Sequence, residues 1–138
     1  MCKLIYRTEG NKICGRVIKL DYVTLLGDID PDKGALRDGR ELKNKILMYI
    51  EATGSTVGSY ILYALSKRDK SPRAILCVEI DNLTLVGCVL GGIPLIKISR
   101  EEYDSIRDGA NICIEFDNTD IDECHIDLVD LDERELHT

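Results

Sequence analysis

The chain has 138 residues, with 18 Lys or Arg against 25 Asp or Glu, 44 % apolar and 31 % charged residues. This is ordinary globular composition and one domain's worth of length, which excludes disordered and collagen-like classes. The net charge of −7 is concentrated at one end, because ten Asp or Glu and one Arg fall between Glu115 and Thr138, leaving residues 1–114 with 17 basic against 15 acidic side chains.

Met1 to Arg7 passes from apolar to charged within a few residues and has no apolar h-region, so it does not read as a secretory signal. Lys12 to Leu20 alternates like a half-buried strand, with Gly15 as a candidate bulge. The next stretch, from Leu25 through Gly34 to Arg40, carries turn residues in the order of a tight reversal and reads as a long irregular loop. Lys45 to Ile50 is a strand-length apolar run. A glycine turn and a helix from about Thr56 follow it, with Val57, Tyr60, Ile61, Ala64 and Leu65 on one face. That helix should end near Lys67, where cations suit its last turn.

Arg73 to Ile80 reads as a buried strand. Asp81 or Asn82 then caps a short helix that ends at Gly91-Gly92. The uncharged stretch Leu83 to Ile96 is 14 residues long and interrupted by three glycines and Pro94, short of the roughly 20 residues a membrane-spanning helix requires. Ile93 to Ile98 is a further strand, and Ser99 with Glu102 forms a capping box for a helix closed by Gly109. Ile112 to Phe116 is the last clear strand, and beyond Asn118 the apolar residues support one weak strand at most. Strands followed by repeated strand-helix units predict a layered α/β domain over residues 1–117, with a mixed or barrel-like sheet and helices packed on it. Residues 118–138 are expected to form an acidic, weakly structured tail.

Six cysteines are spread so that no two lie closer than ten residues, which leaves no ligand spacing for zinc or an iron–sulfur cluster. Free thiols are the expectation for a protein without an export signal, and Cys77, Cys88 and Cys113 sit in apolar runs as small core residues. The acidic end repels nucleic acid, and no Lys/Arg cluster with interleaved aromatics offsets it. The expected setting is therefore the cytoplasm, with neither nucleic acid nor membrane as a partner.

The chemistry points to Thr53-Gly54-Ser55-Thr56-Val57-Gly58-Ser59. Gly54 permits close backbone approach, and the first turn of the following helix leaves N–H donors that favour an anion beside Ser55. Ser55 is thus a candidate nucleophile or base, while a plain N-cap role for Ser55 or Thr56 stays open. The G-x-S-x-G spacing is absent, and His125 and His137 lie in the acidic end, which disfavours a serine-histidine triad. There is also no Walker lysine. A base made from serine needs a cation nearby, yet no Lys or Arg lies between Lys45 and Lys67. Arg16, Arg37 or Arg40 could serve only through the fold, or the cation comes from a partner.

The blocks Gly27-Asp28-Ile29-Asp30-Pro31-Asp32-Lys33-Gly34, Gly54-Ser55-Thr56-Val57-Gly58-Ser59-Tyr60, Pro72-Arg73-Ala74-Ile75 and Gly91-Gly92-Ile93-Pro94 together resemble the small subunits of the archaeal aconitase X family, over residues 12–117. The resemblance implies a swivelling β/β/α domain like the mobile domain of aconitase, closing over a separate large aconitase-like catalytic subunit. It implies a 4Fe-4S cluster on that large subunit, no metal on this chain, and Ser55 as the base that takes a proton from substrate, with Gly54 and Thr56 in contact with substrate. The implied reaction is a hydro-lyase step on a small phosphorylated hydroxy acid, the dehydration of (R)-5-phosphomevalonate to trans-anhydromevalonate 5-phosphate in the archaeal mevalonate pathway. Two alternatives stand beside it: the small part of another aconitase X dehydratase, such as a hydroxyproline dehydratase, and a non-catalytic regulatory or scaffold domain.

Overall fold

A computed structural model describes residues 2–6, 10–53, 57–116 and 123–129. Four strands with apolar runs on both faces lie side by side in parallel: β2 (Lys12–Lys19), β6 (Lys45–Tyr49), β8 (Ala74–Cys77) and β9 (Leu95–Lys97). Continuous hydrophobicity is what a parallel strand covered on both sides demands. The faces alternate as the pleat requires: Ile46, Met48, Ala74, Leu76 and Ile96 join one core, while Leu47, Tyr49, Ile75, Cys77 and Leu95 join another under the helices. Each of these side chains is fully buried, and a buried Leu or Ile contributes about 1.5–3 kcal/mol.

The other side of the sheet is antiparallel. β10 (Asn111–Phe116) pairs with β2 and with β11 (Glu123–Leu128), β11 pairs with β1 (Cys2–Tyr6), and β1 pairs with β9, which closes a seven-stranded barrel. β11 falls in the stretch read from the sequence as tail; residues 130–138 lie outside the described residues. Tyr103 and Ile106 enter the inner core from α4 (Arg100–Ser105), and the Tyr103 hydroxyl donates to the Leu20 carbonyl 2.7 Å away. The Ser99 capping box forms as expected from the sequence. α4 ends at Ser105, however, because Ile106 turns extended to reach the core, and Gly109 instead takes a positive φ in the turn that leads into β10.

α2 (Val57–Lys67) and α3 (Asn82–Gly91) cover the outer face of the parallel strands. They touch through glycine: a Cβ on Gly87 would stand 2.8 Å from Leu62 Cδ1 and 3.0 Å from the Ser59 carbonyl. Asp81 caps α3 by accepting from the Thr84 N–H, and Gly92 ends it in the left-handed conformation. Gly15 makes no bulge, because β2 stays in register with both neighbours; its missing side chain lets Ile46 and the Asn44 carbonyl approach, at 3.3 and 3.2 Å from a would-be Cβ.

The segment read as an irregular loop is ordered into short elements. α1 (Leu25–Asp28) is followed by β4 (Ile29–Asp30) and β5 (Ala35–Leu36), a hairpin around Pro31 to Gly34. Asp30 Oδ1 accepts the N–H groups of Asp32 and Lys33 at 3.0 and 3.2 Å, which is how so polar a stretch satisfies its backbone. The parallel pair β2–β6 is also prolonged past a bend as β3 (Tyr22–Thr24) and β7 (Glu51–Thr53), which carries both chains away from the barrel side by side.

The free-thiol expectation is corrected at four positions. Cys2–Cys124 and Cys14–Cys113 are disulfides between directly opposed residues of antiparallel strands, with Cα separations of 5.4 and 4.1 Å. Pairing of β1 with β11 and of β2 with β10 brings them together over 122 and 99 residues of sequence. Cys77 and Cys88 remain free and buried.

Candidate functional site

β3 and β7 end level with one another, Thr24 opposite Thr53, and their hydroxyl oxygens lie 3.4 Å apart. Ser55, with Gly54 and Thr56, lies outside the described residues, in the three-residue span between the end of β7 and the start of α2. The two ends of that span place the surroundings. Thr24 leads directly into α1, whose Leu25 packs on the first turn of α2, where a Cβ on Gly58 would meet Leu25 Cδ1 at 3.3 Å. The Asp28 carboxylate turns back to accept the Thr24 N–H at 2.7 Å. α1, whose last two residues Gly27 and Asp28 open the 27–34 block, thus packs on the beginning of α2. The first turn of that helix adds the positive end of its dipole.

The fold places the arginines considered for the site in different settings. Arg37 donates through Nε to the Gly27 carbonyl, and its backbone N–H binds the Asp28 carbonyl at 3.0 Å. Arg40 faces another way, paired with Asp38 at 2.9 Å and with Asp108 at 3.4 Å, and shares a separate groove with Arg16. The Arg40 guanidinium holds the Asp38 carboxyl below its ordinary value through their hydrogen bond. A cavity of about 590 Å³ opens beside the hairpin, lined among others by Asp30, Asp32, Lys33, Arg37 and Lys70.

Burial pushes the Cys77 thiol up to about 12 and raises that of Cys88 further, which favours the protonated thiols at neutral pH. Among the described residues, no three His, Cys, Asp or Glu side chains group as metal ligands. Sequence reasoning missed that Thr24, Asp28 and Thr53 border the site. The Gly27-Asp28-Ile29-Asp30-Pro31 block was the available signal, and the parallel pairing of β3 with β7 explains it.

Comparison with known proteins agrees with this architecture. A family model described as the aconitase X swivel domain matches residues 6–122. A Pyrococcus horikoshii protein named phosphomevalonate dehydratase small subunit is 44 % identical over 112 residues, 77 % of this chain and 79 % of its own length. An Aeropyrum pernix protein of the same name is 33 % identical over 118 residues, 83 % of this chain and 89 % of its own. The crystal structure of Thermococcus kodakaraensis aconitase X in its holo-form superposes with a TM-score of 0.73 at 31 % identity, covering 90 % of this chain and 97 % of that one. With the barrel, the packing of α1 on the start of α2 and this match over most of its length, the chain belongs to the aconitase X swivel-domain family.

Proposed function

We propose that this chain is the small subunit of a two-chain hydro-lyase that dehydrates (R)-5-phosphomevalonate to trans-anhydromevalonate 5-phosphate, with Ser55 as the base. The observation that carries the reading is the packing of α1 on the first turn of α2, through Leu25 and Gly58, in a chain whose relatives bear the name of that dehydratase subunit. The Ser55 oxygen, held as the alkoxide, takes a proton from the carbon next to the one bearing the hydroxyl. The electron pair left behind forms the new double bond as the C–O bond breaks, and the hydroxyl departs as water after taking a proton. An iron–sulfur cluster carried by the large subunit would supply the Lewis acid for that departing oxygen. This chain's own contribution is the positioned base and the donors at the start of α2.

Dependence on a partner follows from the chemistry, because one serine at a helix start cannot activate a poor leaving group. Exposed Val86, Val89 and Leu90 along one side of α3, with Tyr60 on α2, are apolar surface of the kind a partner covers. The test is anaerobic co-expression with the large aconitase-like chain, followed by co-purification and a dehydration assay on (R)-5-phosphomevalonate. A stable complex that forms the enoate supports the reading, and failure of the chains to co-purify at micromolar concentration counts against it. Turnover of a hydroxyproline in place of the phosphorylated acid would move the chain to another branch of the family.

A further inference from the structure

The two disulfides sit on opposite sides of the barrel wall. Cys2 and Cys124 face inward, into the core that also holds Ile112, Ile114 and Phe116, and are 1 % and 0 % exposed. Cys14 and Cys113 face the other way. On β10, Cys113 falls between the inward Ile112 and Ile114, so the pleat turns it outward. On β2, Cys14 falls between Ile13, which packs on the inner core, and Gly15, whose missing side chain admits the inner-core Ile46. Neither belongs to the core under α2 and α3; Cys14 is half-buried and Cys113 is 5 % exposed. The outer face around them is charged. Lys12 and Glu115, one cross-strand pair away, form an ion pair at 3.6 Å, Arg16 stands opposite Asn111 on the other side, and Arg73 donates to the Cys14 carbonyl at 2.7 Å. On β11, Asp127 is opposite Cys113 and His125 opposite Glu115.

We propose that the outer pair, Cys14–Cys113, is a redox switch that small thiols and disulfides open and close in the folded protein, while the inner pair is a permanent staple. A disulfide within reach of a small thiol is a labile one, whereas one sealed in a close-packed core waits for unfolding. Lys12, Arg16 and Arg73 lie on the Cys14 side and draw an incoming thiolate there, away from Asp127 and Glu115 on the Cys113 side. The thiolate attacks Cys14 Sγ; the bond to Cys113 breaks, a mixed disulfide forms on Cys14, and Cys113 leaves as a thiolate that takes up a proton. A second small thiol displaces the first as their common disulfide and returns Cys14 as a thiol. Two small thiols are thereby oxidised, and the protein disulfide gains two electrons and two protons. A small disulfide runs the same steps backwards. Once open, β2 and β10 keep their backbone ladder while β1 stays tied to β11, so the wall loosens along one seam without unfolding.

The experiment treats the full chain with glutathione disulfide, then with glutathione under native conditions, quenches with iodoacetamide at intervals and maps the peptides by mass spectrometry. Cys14 and Cys113 should take up label at least about tenfold faster than Cys2 and Cys124, and glutathione disulfide should close the pair again. In the opened form, amides of residues 13–16 and 112–115 should exchange about tenfold faster with deuterium, while those of β6 and β8 hold their protection. A Cys14→Ser, Cys113→Ser double variant should show no such change on adding glutathione. If that variant does not fold, the order of labelling in the wild type decides. Both pairs opening together, the inner pair opening first, an outer pair that resists glutathione until the chain unfolds, or one that glutathione disulfide does not form, each overturns the proposal.

Discussion

Ser55 and Ser59 stand on either side of the start of α2 in sequence, and we propose different tasks for them. Ser59 is half-buried inside the helix, its backbone carbonyl against Gly87, and a hydroxyl one turn inside a helix is readily satisfied by a carbonyl of the preceding turn. Ser59→Ala should leave turnover of the assembled enzyme within a few-fold of normal, and a loss on the order of 10²-fold would reassign the base. Tyr49 is a second informative residue. Its hydroxyl is buried without a hydrogen-bond partner among the described residues, near Thr84 and Cys77, and burial raises its pKa well above the ordinary value of 10.0. Tyr49 and Cys77 are acids that are neutral when protonated, and folding raises both pKa values. The unfolded chain therefore releases these protons first, so their contribution is complete below about pH 9 and falls as pH rises towards 12. Urea midpoints from pH 7 to 11 should decline in the wild type and decline less in Tyr49→Phe. That variant should also match or exceed wild-type stability at pH 7, because an orphaned buried hydroxyl costs about 1–3 kcal/mol.

At the level of elements, contact between α2 and α3 depends on one missing side chain. Gly87→Ala puts a methyl group 2.8 Å from Leu62 Cδ1 and 3.0 Å from a backbone carbonyl, so the helices must part, at about 1–3 kcal/mol. A thermal melt should show the drop, and unchanged melting would mean that α3 is free to shift. The cross-strand disulfides make a separate prediction. Denatured without reductant, the purified chain should expose two reactive thiols, Cys77 and Cys88, and six after reduction. Closing loops of this length contributes about 2–5 kcal/mol each in the chain-entropy account, so reductant should lower the denaturation midpoint. Six thiols without reductant would remove these pairs from the account. The elements that the sequence announced are those with local causes: the apolar runs of β2, β6 and β10, the Ser99 capping box, and the Asp81 start and glycine stop of α3. β1, β7 and the β4–β5 hairpin escaped because two to five residues carry too little periodicity. Their existence depends on partners distant in sequence, as does the meeting of Cys14 with Cys113.

Across the whole molecule, the barrel closes only because β11 lies between β10 and β1, with Cys124 opposite Cys2. Removing residues 130–138 should leave the melting temperature nearly unchanged. Removing everything from Asp117 onward should open the barrel and lower it sharply; if the second truncation melts like the full chain, β11 is dispensable. The site was partly legible for the same reason as the fold. The glycine turn and the helix start single out Ser55 as a candidate from local pattern, whereas the approach of Thr24 to Thr53 and of Leu25 to Gly58 depends on the long-range pairing of β3 with β7.

The central claim is that Ser55 is the base, and it is tested most directly by single-turnover dehydration of (R)-5-phosphomevalonate by the anaerobically assembled two-chain enzyme carrying Ser55→Ala. Losing the proton-transfer group should slow the chemical step by about 10²- to 10⁴-fold, while the complex forms and melts as the wild type does. A rate near that of the wild type, in a complex of normal composition, would contradict the assignment and leave Ser55 as a helix cap.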